Sequence, residues 1–208
     1  MMKVKLCGIR RPEDVAYLNE FRPDYAGFVF AGTRRRIAPE TAAALVRKLD
    51  AHIRKVGVFV DEPAASIART VRLAGLDVVQ LHGDESAEAI AKLRLLVPGV
   101  EIWKAVRVRD RLSIPRALKL GADKLLLDGY SGSEHGGTGK KADWNLIREA
   151  NLSVPYFLAG GLNSGNISAA VEELSPYGVD ISSGIETGGV KDRAKIEQIM
   201  KILRKAED

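Results

Sequence analysis

A single cysteine, Cys7, stands among 208 residues, so the chain can close no disulfide within itself, and a reducing cytoplasm suits it. Aromatic residues make up only 6% of the sequence, too few for the interleaved stacking surface with which single-strand binders hold bases. The net charge of +5 is spread along the chain, and the triplet Arg34-Arg35-Arg36 alone does not make a nucleic-acid face, so no nucleic-acid partner is expected. His52, His82 and His135 are the whole histidine complement and none pair at ligand spacing, so no metal site is expected either. The longest apolar runs, such as 55–60 and 124–127, fall far short of the roughly 20 residues that cross a bilayer. Met1-Met2-Lys3 runs straight into strand-like sequence with no secretory pattern. No Gly/Ser-rich linker or low-complexity tract divides the chain, and one domain over residues 1–208 is expected.

What the sequence does contain is an alternation. Short β-branched or apolar runs recur at 4–6, 25–30, 55–60, 77–81, 101–106, 123–127, 156–159 and 179–182. Such near-continuous apolar strands belong to a parallel sheet covered on both faces. Between them lie stretches with helical spacing, among them 39–49, 63–74, 87–96, 166–174 and 192–204, with Pro39 and Pro63 suited to a first helical turn. Strand then helix, repeated about eight times, predicts an α/β fold, the (β/α)8 TIM barrel, near the short end of its usual size of about 200 to 250 residues.

That fold carries its chemistry at the carboxyl ends of the strands. Cys7 ends the first strand, and two readings of it are open, a catalytic thiol or a small buried hydrophobe. Asp128 ends the sixth, as a working carboxyl or as a turn residue before Gly129. The stretch 128–141 holds five glycines at positions 129, 132, 136, 137 and 139 and reads as a ligand-binding loop or lid. Gly160-Gly161-Leu162-Asn163 follows the seventh strand and Ser183-Gly184-Ile185-Glu186 the eighth. In barrels these two loops frequently hold a phosphate on backbone amides. Strands seven and eight separate strand six from strand one in a closed barrel, so Asp128 and Cys7 flank that anion. A sugar phosphate pinned there lies between a carboxyl and a thiol, which suits proton transfer in two directions.

Taken in order, Lys5-Leu6-Cys7-Gly8-Ile9, Gly27-Phe28-Val29-Phe30, Arg35-Arg36-Ile37-Ala38-Pro39-Glu40, Val56-Gly57-Val58-Phe59-Val60, Gln80-Leu81-His82-Gly83, Leu127-Asp128, Gly136-Gly137-Thr138-Gly139-Lys140, Asp143-Trp144, Gly160-Gly161-Leu162-Asn163 and Asp180-Ile181-Ser182-Ser183-Gly184-Ile185-Glu186 resemble the phosphoribosylanthranilate isomerases of tryptophan biosynthesis. The resemblance implies an Amadori rearrangement of N-(5-phosphoribosyl)anthranilate to 1-(2-carboxyphenylamino)-1-deoxyribulose 5-phosphate. It implies Asp128 as general acid on the ring oxygen and Cys7 as general base on the C2 proton. Arg35 would meet the anthranilate carboxylate, although sequence alone leaves open which of the three arginines turns inward. Asp180 and His82 would lie near the substrate, Asp180 having a second reading as a buried ion-pair partner and His82 reading as a structural or supporting histidine rather than a base. Gly160, Gly161, Asn163, Ser183 and Gly184, with Gly137 and Gly139 of the long loop, would hold the phosphate. No cofactor and no metal are implied, and a monomer or a homodimer would serve.

Two rivals keep the glycine turns. A barrel enzyme on a related phosphorylated substrate, such as indole-glycerol-phosphate synthase, needs catalytic Lys and Glu at strand ends, and Lys104 is the strand lysine that offers itself. A phosphometabolite-binding protein needs neither Cys7 nor Asp128.

Overall fold

The computed structural model describes residues 2–32, 34–128, 144–150, 152 and 154–205. Eight parallel strands close into a barrel in sequence order. They are β1 (Lys3–Cys7), β2 (Tyr25–Val29), β3 (Arg54–Phe59), β4 (Val78–Leu81), β5 (Glu101–Arg107), β6 (Lys124–Asp128), β7 (Tyr156–Ala159) and β8 (Gly178–Ile181). The helices between them are α1 (Pro12–Phe21), α2 (Pro39–Val46), α3 (Ala64–Ala74), α4 (Ala87–Leu96), α5 (Ser113–Leu118), α6 (Trp144–Glu149) and α7 (Ile167–Leu174), and α8 (Arg193–Lys205) follows β8. The expected (β/α)8 barrel is the fold observed.

Differences from the expected spans have local causes. Pro63 stands at the N-cap of α3 with ψ of 135°, one residue outside the helix, whereas Pro39 opens α2 at its first position. Helix α2 stops at Val46 because the chain tightens into turns, Lys48 N–H donating to Leu45 O and Leu49 N–H to Val46 O. After β8 the chain makes one 3₁₀ turn, Ser183–Ile185, and a short antiparallel ribbon of β9 (Glu186–Thr187) and β10 (Val190–Lys191), none of which the periodicity predicts.

Strand alternation divides the apolar residues into two populations. Leu6, Phe28, Val79, Leu81, Ile102, Leu125, Leu127, Leu158 and Ile181 face outward and pack with helix residues such as Leu18, Ile67, Ile90 and Ile199. Tyr25, Val56, Val78, Trp103, Ala105, Leu126, Phe157 and Ala159 face inward as a separate cluster. Its lower layer is aromatic, with ring centroids 5.0 Å apart for Tyr25 and Trp103, 5.4 Å for Tyr25 and Phe157, and 4.5 Å for Trp103 and Phe157. The interior is thus packed shut below, and its polar residues are collected above. Among the described residues no helix is long and apolar enough to cross a membrane.

Trp103 is fully buried at the centre of the aromatic layer. Trp103→Ala should cost about 3–5 kcal/mol of stability, read as a lowered urea midpoint, because the surrounding β-strands cannot collapse into the space the indole leaves.

Candidate active site

The carboxyl ends of the strands open into a cavity of about 500 Å³ whose walls include Cys7, His82, Asp128, Gly160, Gly161, Asp180 and Ser183. A second cavity of about 520 Å³ lies beside it over the β4 and β5 ends and shares Val60 and His82, but neither Cys7 nor Asp128 lines it. The chemistry therefore belongs to the first.

Cys7 is buried, reached only from the cavity, and its place depends on Gly27 of β2: a Cβ there would come within 2.6 Å of the Cys7 Sγ. Two residues earlier on the same inward face of β1 is Lys5, with no solvent exposure, its Nζ 2.8 Å from Asp180 Oδ2. Burial pushes the Cys7 thiol above its ordinary value; Lys5 opposes this, Asp180 adds to it, and Lys191 opposes it again. Burial also works against the charge on Lys5, but Asp180 and Cys7 outweigh it and hold that ammonium above its ordinary value. Asp180 is thus both a cavity residue and an ion-pair partner, and its Oδ1 is buried with no protein donor among the described residues.

Across the cavity, Asp128 ends β6 and His82 follows β4. Burial pushes His82 below the ordinary histidine value, against the pull of Asp128, so the ring is neutral near pH 7. Its Nδ1 lies 3.1 Å from Gln80 Nε2. With that amide donating to Nδ1, the ring carries its proton on Nε2. Gln80 Oε1, like Asp180 Oδ1, is a buried acceptor with no protein donor among the described residues, and both residues line the cavity. Such groups ask for donors from a ligand.

Between Asp128 and Cys7 lie the two glycine turns. Gly160 and Gly161 reverse the chain after β7 with φ of 93° and 65°. Gly184 is required by close approach, since a Cβ on it would sit 1.9 Å from Leu162 O. The turns are pressed together, and the amides of Gly161, Ser183 and Gly184 donate to no protein acceptor among the described residues. Asn163 departs from its expected place. It is not in the cavity wall; its Oδ1 accepts from Gly165 N–H at 2.9 Å and its Nδ2 donates to Gly161 O at 3.0 Å. Both ends of its amide are engaged in shaping the loop, with one of the two Nδ2 hydrogens committed to Gly161 O. Gly137, Gly139 and the rest of the proposed lid lie outside the described residues.

Of the three consecutive arginines, Arg35 turns inward while Arg34 and Arg36 stay exposed. Glu186 holds it, accepting from Arg35 Nε at 2.8 Å and from Nη2 at 2.7 Å. A guanidinium has five donors, so this fork leaves the Nη1 edge available to a carboxylate. Glu186 also accepts from Lys191 Nζ at 2.7 Å, and Lys191 donates to Ser182 O at 3.0 Å. Lys5, Glu186 and Lys191 escape notice in the sequence. A lysine or glutamate in a strand reads as a solvent-facing position, and here the partners lie up to 175 residues away. Lys104, by contrast, stands on the outward face of β5. Its ammonium donates to Gly83 O at 2.7 Å and to Ala105 O at 3.0 Å and lies 3.1 Å from Glu85, so it is a structural tie with no place among the reacting groups.

Burial alone would raise the Glu186 carboxyl above its ordinary value of 4.5, but Arg35 and Lys191 draw it down to about 2. A folded value below the unfolded one contributes stability that is present above pH 4.5 and is lost as pH falls towards 2. Glu186→Gln should therefore be less stable than the wild type at pH 6, with the gap narrowing steadily on acidification through that window, as read by denaturant unfolding at each pH.

Residues 4–202 match the family model described as N-(5'-phosphoribosyl)anthranilate (PRA) isomerase. An N-(5'-phosphoribosyl)anthranilate isomerase from Endomicrobium trichonymphae is 48% identical, the match covering 98% of this chain and 99% of that protein. The crystal structure of phosphoribosyl anthranilate isomerase from Thermotoga maritima superposes with a TM-score of 0.88 at 36% identity, over 99% of this chain and 100% of that one. Another, solved in complex with reduced 1-(o-carboxyphenylamino)-1-deoxyribulose 5-phosphate, gives 0.86 at 33% identity with the same coverage. With the glycine turns and the whole cavity lining inside the matched span, the chain belongs to the phosphoribosylanthranilate isomerase family.

Proposed function

We propose that the protein is the isomerase of tryptophan biosynthesis that converts N-(5-phosphoribosyl)anthranilate to 1-(2-carboxyphenylamino)-1-deoxyribulose 5-phosphate by general acid–base catalysis. The observation that carries this reading is the pairing, in one cavity, of a thiol at the end of β1 with a carboxyl at the end of β6, separated by two amide-rich turns. A relative holding a reduced form of this product supports the ligand class.

In this reading the phosphate rests on the amides of Gly161, Ser183 and Gly184, next to Gly160, where main-chain N–H groups meet it without any side chain. The anthranilate carboxylate takes the Nη1 edge of Arg35, whose other edge Glu186 fixes. Asp128 gives its proton to the furanose ring oxygen; the C1–O bond breaks and the nitrogen lone pair forms a protonated Schiff base. Cys7, as thiolate, takes the proton from C2, and the C–H electrons become the C1=C2 bond of an enolamine. Ketonisation at C2 completes the rearrangement. Asp180 and His82 offer the sugar and the linking nitrogen an acceptor and a neutral Nε2–H donor. Oxidation at C2 balances reduction at C1 within one molecule, so no cofactor or metal enters. One chain carries every group named, which fits a monomer or a homodimer, and a free thiol as base suits the cytoplasm.

Turnover of freshly prepared phosphoribosylanthranilate, followed by loss of its fluorescence, tests the assignment. Cys7→Ala and Asp128→Asn should both stay folded by circular dichroism and should each lose about 10²-fold or more in kcat. A fully active Cys7→Ala would remove the thiol from the reaction.

A further inference from the structure

Lys5 is a buried charge that the reaction does not call on. It has no solvent exposure and does not line the cavity, so it cannot touch a ligand. Its ammonium donates to Asp180 Oδ2 at 2.8 Å. A buried ion pair is weak evidence for stability, because taking both charges out of water costs about as much as their attraction returns. The pair's position is more telling. An ammonium has three donors, and Asp180 uses one. Cys7 comes two residues later on the same face, with its sulfur pressed against Gly27 and the ammonium of Lys5 interacting with it.

We propose that Lys5 is a positioning residue for proton abstraction: clamped by Asp180 across the β1–β8 seam, its ammonium is the fixed countercharge against which the Cys7 sulfur becomes anionic. The proposal rests on the isomerase reading for its purpose, although the charge relation itself does not. Four charged groups face the sulfur, and they come from different elements. Lys5 comes from its own strand, Asp180 from β8, Lys191 from β10, and Arg35 from the loop after β2. Lys191 and Arg35 share Glu186, which meets both of them with its two oxygens. Lys5 shares only Asp180, and Asp180 offers it one oxygen while the other is buried with no protein donor among the described residues. Lys5 is therefore the cation best placed to answer a charge on sulfur. Lys191 also favours a charge on the sulfur but is already paired with Glu186, so Lys5 is the larger countercharge.

The sole cysteine makes the test direct. Iodoacetamide alkylation, followed by mass spectrometry across pH, reports the Cys7 thiolate with no background from other thiols and without turnover. Lys5→Met should move the alkylation midpoint upward by about one pH unit or more. It should lower kcat about tenfold or more with KM little changed, and move the basic shift into the pH profile of kcat/KM. Midpoints that coincide in wild type and Lys5→Met overturn the proposal, whatever happens to activity. Should Lys5→Met fail to fold with Asp180 left unpaired, Asp180→Asn and the double variant Lys5→Met/Asp180→Asn decide instead, since neither buries an unpaired anion. The double variant titrating above Asp180→Asn supports the countercharge, and equal midpoints overturn it. A wild-type protein that did not isomerise the substrate would sink the functional reading while leaving these titrations to judge Lys5.

Discussion

Closure of the sheet across the β1–β8 seam is the constraint on which the site depends. Lys5 pairs opposite Asp180 and Leu6 opposite Ile181, so the first and last strands meet in one register. Side chains alternate between the two faces of a strand, and a slip of one residue would turn Lys5, Cys7 and Asp180 out of the barrel and Leu6 and Ile181 into it. Outward, Leu6 and Ile181 are buried against helices, which fixes the register from the apolar side. Inward, the ammonium and carboxylate fix it from the polar side. Hydrophobic burial and charge pairing thus agree on a single register, and the position of the sulfur follows from it.

Above the strands, the rim is tied by charges. Glu186 gathers Arg35 and Lys191, and Lys191 reaches Ser182 O, so the turn after β2 is joined to the turns after β8. Glu85 does the same on the other side, accepting from Asp61 N–H at 3.1 Å and Gly83 N–H at 3.0 Å while facing Lys104 at 3.1 Å. These carboxylates organise backbone and cations that would otherwise splay in solvent, and they do so at the depth where a ligand must be held still.

The fold was readable because its signal is local. Apolar runs of three to six residues and the helical spacing between them need no knowledge of partners, and Tyr156–Ala159 and Ala87–Leu96 come out residue for residue. Cys7, Asp128 and the two glycine turns were readable by position, as residues at strand ends in a fold that works there. Less local features were not. Which arginine of 34–36 turns inward depends on Glu186, about 150 residues on, and a charge in a strand reads as solvent-facing until its partner is known. Lys104 and Lys5 show the cost of reading charges by type: each lies in a strand, but the pleat sends Lys104 to the rim and Lys5 to the sulfur. Asn163 follows two glycines and reads as an anion ligand, and only the folded loop shows its amide also tying Gly161 to Gly165.

The packed rings of Tyr25, Trp103 and Phe157 close the barrel from beneath, with Trp103 and Phe157 wholly inaccessible. Among the described residues the reaction vessel consequently has a single doorway. Whatever enters must leave by the same route, so a product molecule still seated there bars the next arrival, and water can reach the imine only past the bound sugar itself.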